Sequence, residues 1–426
     1  MLNGKTQEVE ILTLEDCLRI GIDNNLSLEG KRKEIQRSKY GVSENRSKLL
    51  PQINAIAGYS NNFDPPVSVT DGSSYGVPYN ITQTLQHSAN AGLEMQMPLF
   101  NQTLYTSMSI AKVMEEISRL SYGKAREDVI LQISKMYYLG QVTAEQIMLI
   151  KANITRLEEL RDITQAFFDN GMSMEVDLKR VNINLENLKV QYDNAQAMMK
   201  QQLNMLKYIM DYPAEKEIAL TPVNTDSITT VALTGLSENI YELQLSQSQV
   251  QLAERQKKII TNGYIPSLSL TGSWRYAAYT DKGYHWFHSG PSNQWFRSYG
   301  VGLTLRIPIF DGLDKTYKIK KAMIDIENKR LAWEDARKNL QTQYLNAVND
   351  LMNNQRNFKK QKDNYLLAED VYAVTSDRYR EGIASMTEVL QDEMQMSEAQ
   401  NNYISAHYNY RVTNLMLLKL TGQIES

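Results

Sequence analysis

The sequence predicts a mainly α-helical chain, duplicated internally, that carries four short membrane β-strands. Three observations lead there. Ten prolines, at 51, 65, 66, 78, 98, 213, 222, 266, 291 and 308, leave 99–212 and 309–426 free of helix breakers. MPLFN (97–101) and IPIFD (307–311), LLPQI (49–53) and YIPSL (264–268), and the turn glycines Gly171 and Gly382 recur in one order, 210 to 215 residues apart. Four stretches of about ten residues carry one apolar and one hydrophilic face, as strands that cross a bilayer do.

Taken in order, a helix over 14–48 is followed by strands near 51–62 and 87–98, a long helix over 101–169 and its return over 172–211. A mixed segment (213–232) separates this first repeat, 1–212, from the second, 233–426. The second repeat restarts with a helix over 235–262, strands near 265–280 and 296–308, a helix over 311–381 and a return over 383–421. Leu, Lys, Gln, Glu, Met and Ala fill the long stretches and favour helix. Asn101 and Asp311 are good residues to open helices, and Gly171 and Gly382 suit a left-handed helix end. At about 1.5 Å per residue the two longest helices each reach about 105 Å, and stacking 14–48 on 383–421 and 172–211 on 235–262 gives two more rods of equal reach. Phe358, Tyr365, Tyr372 and Tyr379, then Val389, Met396, Tyr403, Tyr410 and Leu417, recur every seven residues, a coiled-coil seam of packing residues.

The strands alternate. Leu93 and Met95, then Leu268, Leu270 and Trp274, then Val301, Leu303 and Leu305, form the apolar faces, expected to meet lipid, with Glu94, Gln96, Ser269, Thr271, Arg275 and Arg306 opposite. Pro51, Pro98, Pro266 and Pro308 mark the strand–helix corners. Four strands cannot close by themselves, and open edges are forbidden in lipid. Closure therefore demands an oligomer; two chains supply eight strands and a filled interior, three supply twelve and room for a passage.

Composition narrows the rest. A net charge of -3 argues against nucleic acid, and no run is long and apolar enough for a membrane helix. The single cysteine, Cys17, excludes an internal disulfide. The first thirty residues lack a basic start and an apolar core, so the chain reads as cytosolic or as a form from which a signal peptide is absent. The four histidines, His87, His285, His288 and His407, are scattered, neither G-x-S-x-G nor a P-loop occurs, and neither catalysis nor a cofactor is expected.

With LTLEDCLRIGIDNNLSL (12–28), LLPQI, the MPLFN/IPIFDG pair and the glycine turns followed by VDL (176–178) and TEVL (387–390), the chain resembles the TolC family of outer-membrane efflux and secretion channels. The resemblance implies a homotrimer with a twelve-stranded barrel in the outer membrane of a Gram-negative bacterium. It also implies that long-helix hairpins form an α-barrel across the periplasm and that a signal peptide was removed from this chain. It implies partners: outer-membrane lipid, a periplasmic adaptor and an inner-membrane pump, in a tripartite efflux or type I secretion system. It places a gate at the hairpin tips, with acids six residues after each turn glycine at Asp177 and Glu388, Gln391 beside Asp392 where a second acid is usual, and Tyr379 positioned to bond Asp177 across the hairpins. Ala384 stands where the family has a basic residue. Without the resemblance, Asp177 and Glu388 are first-turn acids facing positive helix starts. Gly171, Met172, Gly382 and Ile383 are the implied adaptor contacts. Two other readings stand beside this one. One is a soluble coiled-coil scaffold with small β-tips; the other is a copper or heavy-metal exporter, suggested by nineteen methionines and pairs such as Met172/Met174 and Met394/Met396.

Overall fold

A computed structural model describes residues 9–65, 67–83, 85–222, 235–280 and 295–424 of the protein. His285, His288 and Pro291, and the 223–232 part of the mixed segment, lie outside the described residues. In chain order the elements are β1 (Glu10–Leu12), α1 (Leu14–Asn24), α2 (Leu26–Ser47), β2 (Gln52–Asn61), β3 (Val67–Asp71), β4 (Tyr79–Gln83), β5 (His87–Phe100), α3 (Gln102–Asp169), α4 (Glu175–Met210), β6 (Ile218–Leu220), α5 (Tyr241–Asn262), β7 (Ser267–Thr280), β8 (Trp295–Arg306), α6 (Asp314–Arg380) and α7 (Met386–Leu420). The chain divides into two compact units, one of Met1–Ile35, Ser118–Gln247 and Leu331–Ser426, the other of Gln36–Ile117 and Ser248–Arg330. Each unit draws on both sequence repeats.

The second unit holds an antiparallel sheet in the order β2–β5–β7–β8, in which β5 of one repeat pairs with β7 of the other. Register places Leu93 opposite Trp274, Met95 opposite Gly272, Leu270 opposite Leu303 and Leu268 opposite Leu305. All eight predicted apolar positions therefore share one face, continued by Ile53, Ala55 and Met97. Toward the strand ends far from the helices this face turns aromatic, through Tyr59, Trp274, Tyr276 and Tyr299, with Trp274 and Tyr276 edge to face at 5.4 Å.

Two corners differ from expectation. Pro98 does not end its strand: β5 continues to Phe100, and a register shift between Pro98 and Phe100 absorbs the missing donor. Asn101 then opens α3, its carboxamide oxygen accepting from the Thr103 and Leu104 amides at 3.0 and 3.3 Å. In the second repeat Gly312 and Leu313 both take positive φ, 68° and 67°, so α6 starts late, at Asp314, and Asp311 instead binds Lys315 through both its amide and its ammonium. The stretch 63–86 between β2 and β5 contains the β3–β4 hairpin.

In the first unit the helix expected over 14–48 is broken at Asn25, whose backbone leaves the helix at ψ 119°. Asn25 makes the break stable: its side chain accepts from the Leu28 amide (3.1 Å) and donates to the Ile209 carbonyl (2.8 Å). That second bond corrects the expected stacking. Leu206, Ile209 and Met210 at the end of α4 pack with Cys17 and Leu28 of α1 and α2, while Leu417 and Leu420 at the end of α7 pack with Ile240 and Leu243 at the start of α5. Each repeat's returning helix closes on its own repeat's first helix. The parallel β1–β6 pair ties residues 10–12 to 218–220 beside the first junction. The heptad aromatics pack as predicted, with Phe358 stacked between Tyr403 and Tyr410 at 5.8 Å from each.

Candidate functional site

The hairpin tips lie in the first unit. α3 ends in a left-handed glycine, Gly171 (φ 73°); the Gly171 amide donates to Phe168 and the Met172 amide to Phe167, at 2.9 and 2.8 Å. α6 ends the same way at Gly382 (φ 77°), with Gly382 donating to Tyr379 at 2.9 Å and Ile383 to Arg378 at 2.8 Å. Only glycine enters this region without a Cβ penalty. Met172 and Ile383 follow the glycines and are both strongly exposed.

The return helices begin at Glu175 and Met386, a turn later than predicted. Ser385 opens α7 in a reciprocal cap: its hydroxyl accepts from the Glu388 amide (3.3 Å), and the Glu388 carboxylate accepts from the Ser385 amide (2.9 Å). Glu388 thus does local work at a helix start. Gln391 is exposed and Asp392 half-buried on the same helix. Met174 opens α4 without a side-chain bond, and Asp177 sits within reach of Arg180 (3.4 Å).

The expected bond from Tyr379 to Asp177 is not made. Tyr379 is buried against Phe167 (5.7 Å) and its hydroxyl pairs with that of Thr164 at 3.3 Å, because the ring turns inward into the seam. Burial raises its ionisation above the ordinary phenol range. Ala384 packs against the same core. Cross-hairpin links come from residues the sequence reading passed over: Arg180 donates to Thr387 (3.2 Å), Arg380 to Glu159 (3.4 Å) and Arg156 to Glu369 (3.2 Å). Only their charges, spaced along helix faces, signalled them. Glu393, also on α7, is buried, and its carboxyl ionises less readily than usual because burial outweighs the pull of Arg156. The methionine pairs separate: Met172 and Met174 are exposed, whereas Met394 is 56% exposed and Met396 0%. Among the described residues no cluster of three metal-type side chains occurs, and no helix is long and apolar enough to cross a membrane.

In the second unit the polar sheet face carries Glu94 and Arg275, which form an ion pair across β5 and β7. Arg306 lies on the same face of β8. The reading of the strands noted these residues as hydrophilic and missed the pairing, which the register alone fixes.

Comparison with known proteins supplies the family. The chain is 21% identical to outer membrane protein TolC of Vibrio cholerae over 399 residues, covering 90% of this chain and 84% of the relative. It is 23% identical over 431 residues to the probable efflux pump outer membrane protein TtgC of Pseudomonas putida, covering 96% and 82%. The fold matches the solved structure of CusC with a TM-score of 0.79 at 16% identity, over 96% of this chain and 91% of that one. The outer membrane efflux protein family matches residues 20–210 and 232–423, one segment in each half, and the chain belongs to that family.

Proposed function

We propose that three copies of this outer-membrane efflux chain close their four-stranded sheets into one twelve-stranded barrel, the exit through which solutes handed over by a periplasmic adaptor and an inner-membrane pump leave the cell. The observation that carries this reading is the sheet. One face is apolar from the helix end of the sheet to its aromatic end, where Arg297 stands beyond Tyr299; the other is mainly polar, and β2 and β8 have no strand partner at their outer edges among the described residues. An unpaired edge amide in hydrocarbon costs several kcal/mol, so β2 of one copy pairs with β8 of the next. Leu93, Met95, Leu268, Leu270, Trp274, Val301, Leu303 and Leu305 then meet lipid, and the aromatic end of that face sits at the headgroups. The tips form the periplasmic entrance: Gly171, Met172, Gly382 and Ile383 dock the adaptor, and Glu388 with Asp177, flanked by Gln391 and Asp392, makes the narrowest ring carboxylate-lined. Tyr379 braces the tip from within the seam. The names of TolC and TtgC, the second an efflux pump component, support the reading. It needs neither a cofactor nor catalysis.

Detergent extraction and reconstitution test it. The protein is expected to require detergent, to sediment as a trimer and to give long-lived single channels in a planar bilayer. Leu303→Lys is expected to impair insertion by about 2–4 kcal/mol if the site is near the bilayer midplane. A detergent-free monomer or dimer that conducts nothing would instead support a soluble scaffold.

A further inference from the structure

We propose that the Glu94–Arg275 pair sets the ion selectivity of the barrel lumen, an inference that rests on the duct reading above. Glu94 stands opposite Ser273 and Arg275 opposite Gly92, so the two side chains are diagonal neighbours on one face of the β5–β7 ladder, where long side chains meet. The surrounding residues are cut to hold them. A Cβ at Gly92 would lie 2.4 Å from the Trp274 carbonyl oxygen and 2.8 Å from the Arg275 Cα, so glycine lets the Arg275 stem cross toward Glu94. Beside the pair β8 offers Gly300 and Gly302, the latter accepting from the Thr271 hydroxyl at 3.2 Å. The bare wall opens a hollow of about 500 Å³ lined by Asn54, Gln96, Ser273 and the two charged residues. The hollow lies on the polar face, which is the face the barrel reading turns toward water. Among the described residues the only other charge on that face is Arg306 at the end of β8.

Three copies place three such pairs at one level. Each pair is neutral as a whole, so passing ions meet dipoles instead of a ring of one sign. Removing either partner leaves three like charges in a narrow, low-dielectric wall, where they act on passing ions far more strongly than on an open surface.

The experiment is reversal potential in a planar bilayer under a potassium chloride gradient, with trimers of the full chain. Glu94→Gln is expected to lower the cation-to-anion permeability ratio by about twofold or more, Arg275→Gln to raise it by a similar factor, and the double variant to return near wild type. The shifts should shrink at high salt. Arg275→Cys provides a variant read after assembly: a positively charged thiol reagent restores the wild-type ratio and a negatively charged one raises it. The label goes to position 275, because Cys17, the chain's single cysteine, is fully buried and burial pushes its thiol up to about 12. Conducting channels whose ratio none of these changes moves would overturn the inference and leave the duct standing; wild-type trimers that do not conduct would overturn both.

Discussion

The two hairpin tips leave their first helix identically and enter the second differently. FFDNG (167–171) and RYREG (378–382) share no side chain except the terminal glycine, yet make the same two backbone bonds with lengths equal to 0.1 Å or better. Past the glycine the tips part. Ser385 and Glu388 cap α7 reciprocally, whereas Met174 leaves α4 uncapped and Asp177 faces Arg180, which reaches across to Thr387 next to the other tip's cap. The turn is held by a backbone demand that one residue type meets, so both copies retain it. The helix start can be satisfied in several ways, and the copies diverged: one tip is braced by itself, the other by its neighbour.

Substitution at the shared feature should have the largest effect. Gly171→Val and Gly382→Val each force a β-branched residue to φ above 70°, at about 2 kcal/mol, read as faster hydrogen exchange of the tip amides. Equal losses support one turn used twice; a clearly smaller loss at one tip shows that its neighbours yield.

The next effect separates the tips by pH. Tyr379, buried, corresponds to the non-titrating Phe168 of the first tip. Its folded ionisation lies above the unfolded one, so its stabilisation is complete below about pH 10 and is lost as pH rises through the raised value. Exchange at the second tip is expected to accelerate in that window. Tyr379→Phe should remove the acceleration, while losing about 1 kcal/mol with the Thr164 bond.

Ser385→Ala should cost α7 about 1 kcal/mol, and Met174→Ser should stabilise α4 by up to about that amount, making the first tip resemble the second. The same cap tests the gate. Glu388→Gln retains a residue that completes a reciprocal cap but removes its charge, so it should raise conductance and weaken cation preference. Ser385→Ala should leave both nearly unchanged. If the serine variant changes them and the glutamine variant does not, Glu388 acts through the helix start alone. Arg180→Ala should have the smallest effect, about 0.5 kcal/mol or less, because the arginine is half exposed.

Legibility in the sequence followed the range of the interaction. The strand faces, the turn glycines and the heptad seam were readable because their determinants lie within a few residues, at a period of two or seven or at one special φ. The break at Asn25 was not, since asparagine inside a helical pattern becomes a cap only when a partner such as the Ile209 carbonyl waits for it. Pro98 looked like a corner because the bulge that accommodates it belongs to the pairing of two distant strands.

Asp177 and Glu388 lie in the first turns of α4 and α7, as acids read at positive helix starts should, whereas Met172 and Ile383 stand in the turns before those helices. What each side chain binds was a tertiary matter. Tyr379 chose Thr164, α4 closed on α1 and α7 on α5, and Glu94 found Arg275 through strand register. By itself the sequence determined where the chain turns and which faces are apolar, because backbone sterics and side-chain periodicity are local. The tertiary structure alone decided which residues meet, because register and packing between distant segments are selected by the summed fit of many side chains, a quantity that no single stretch of sequence contains.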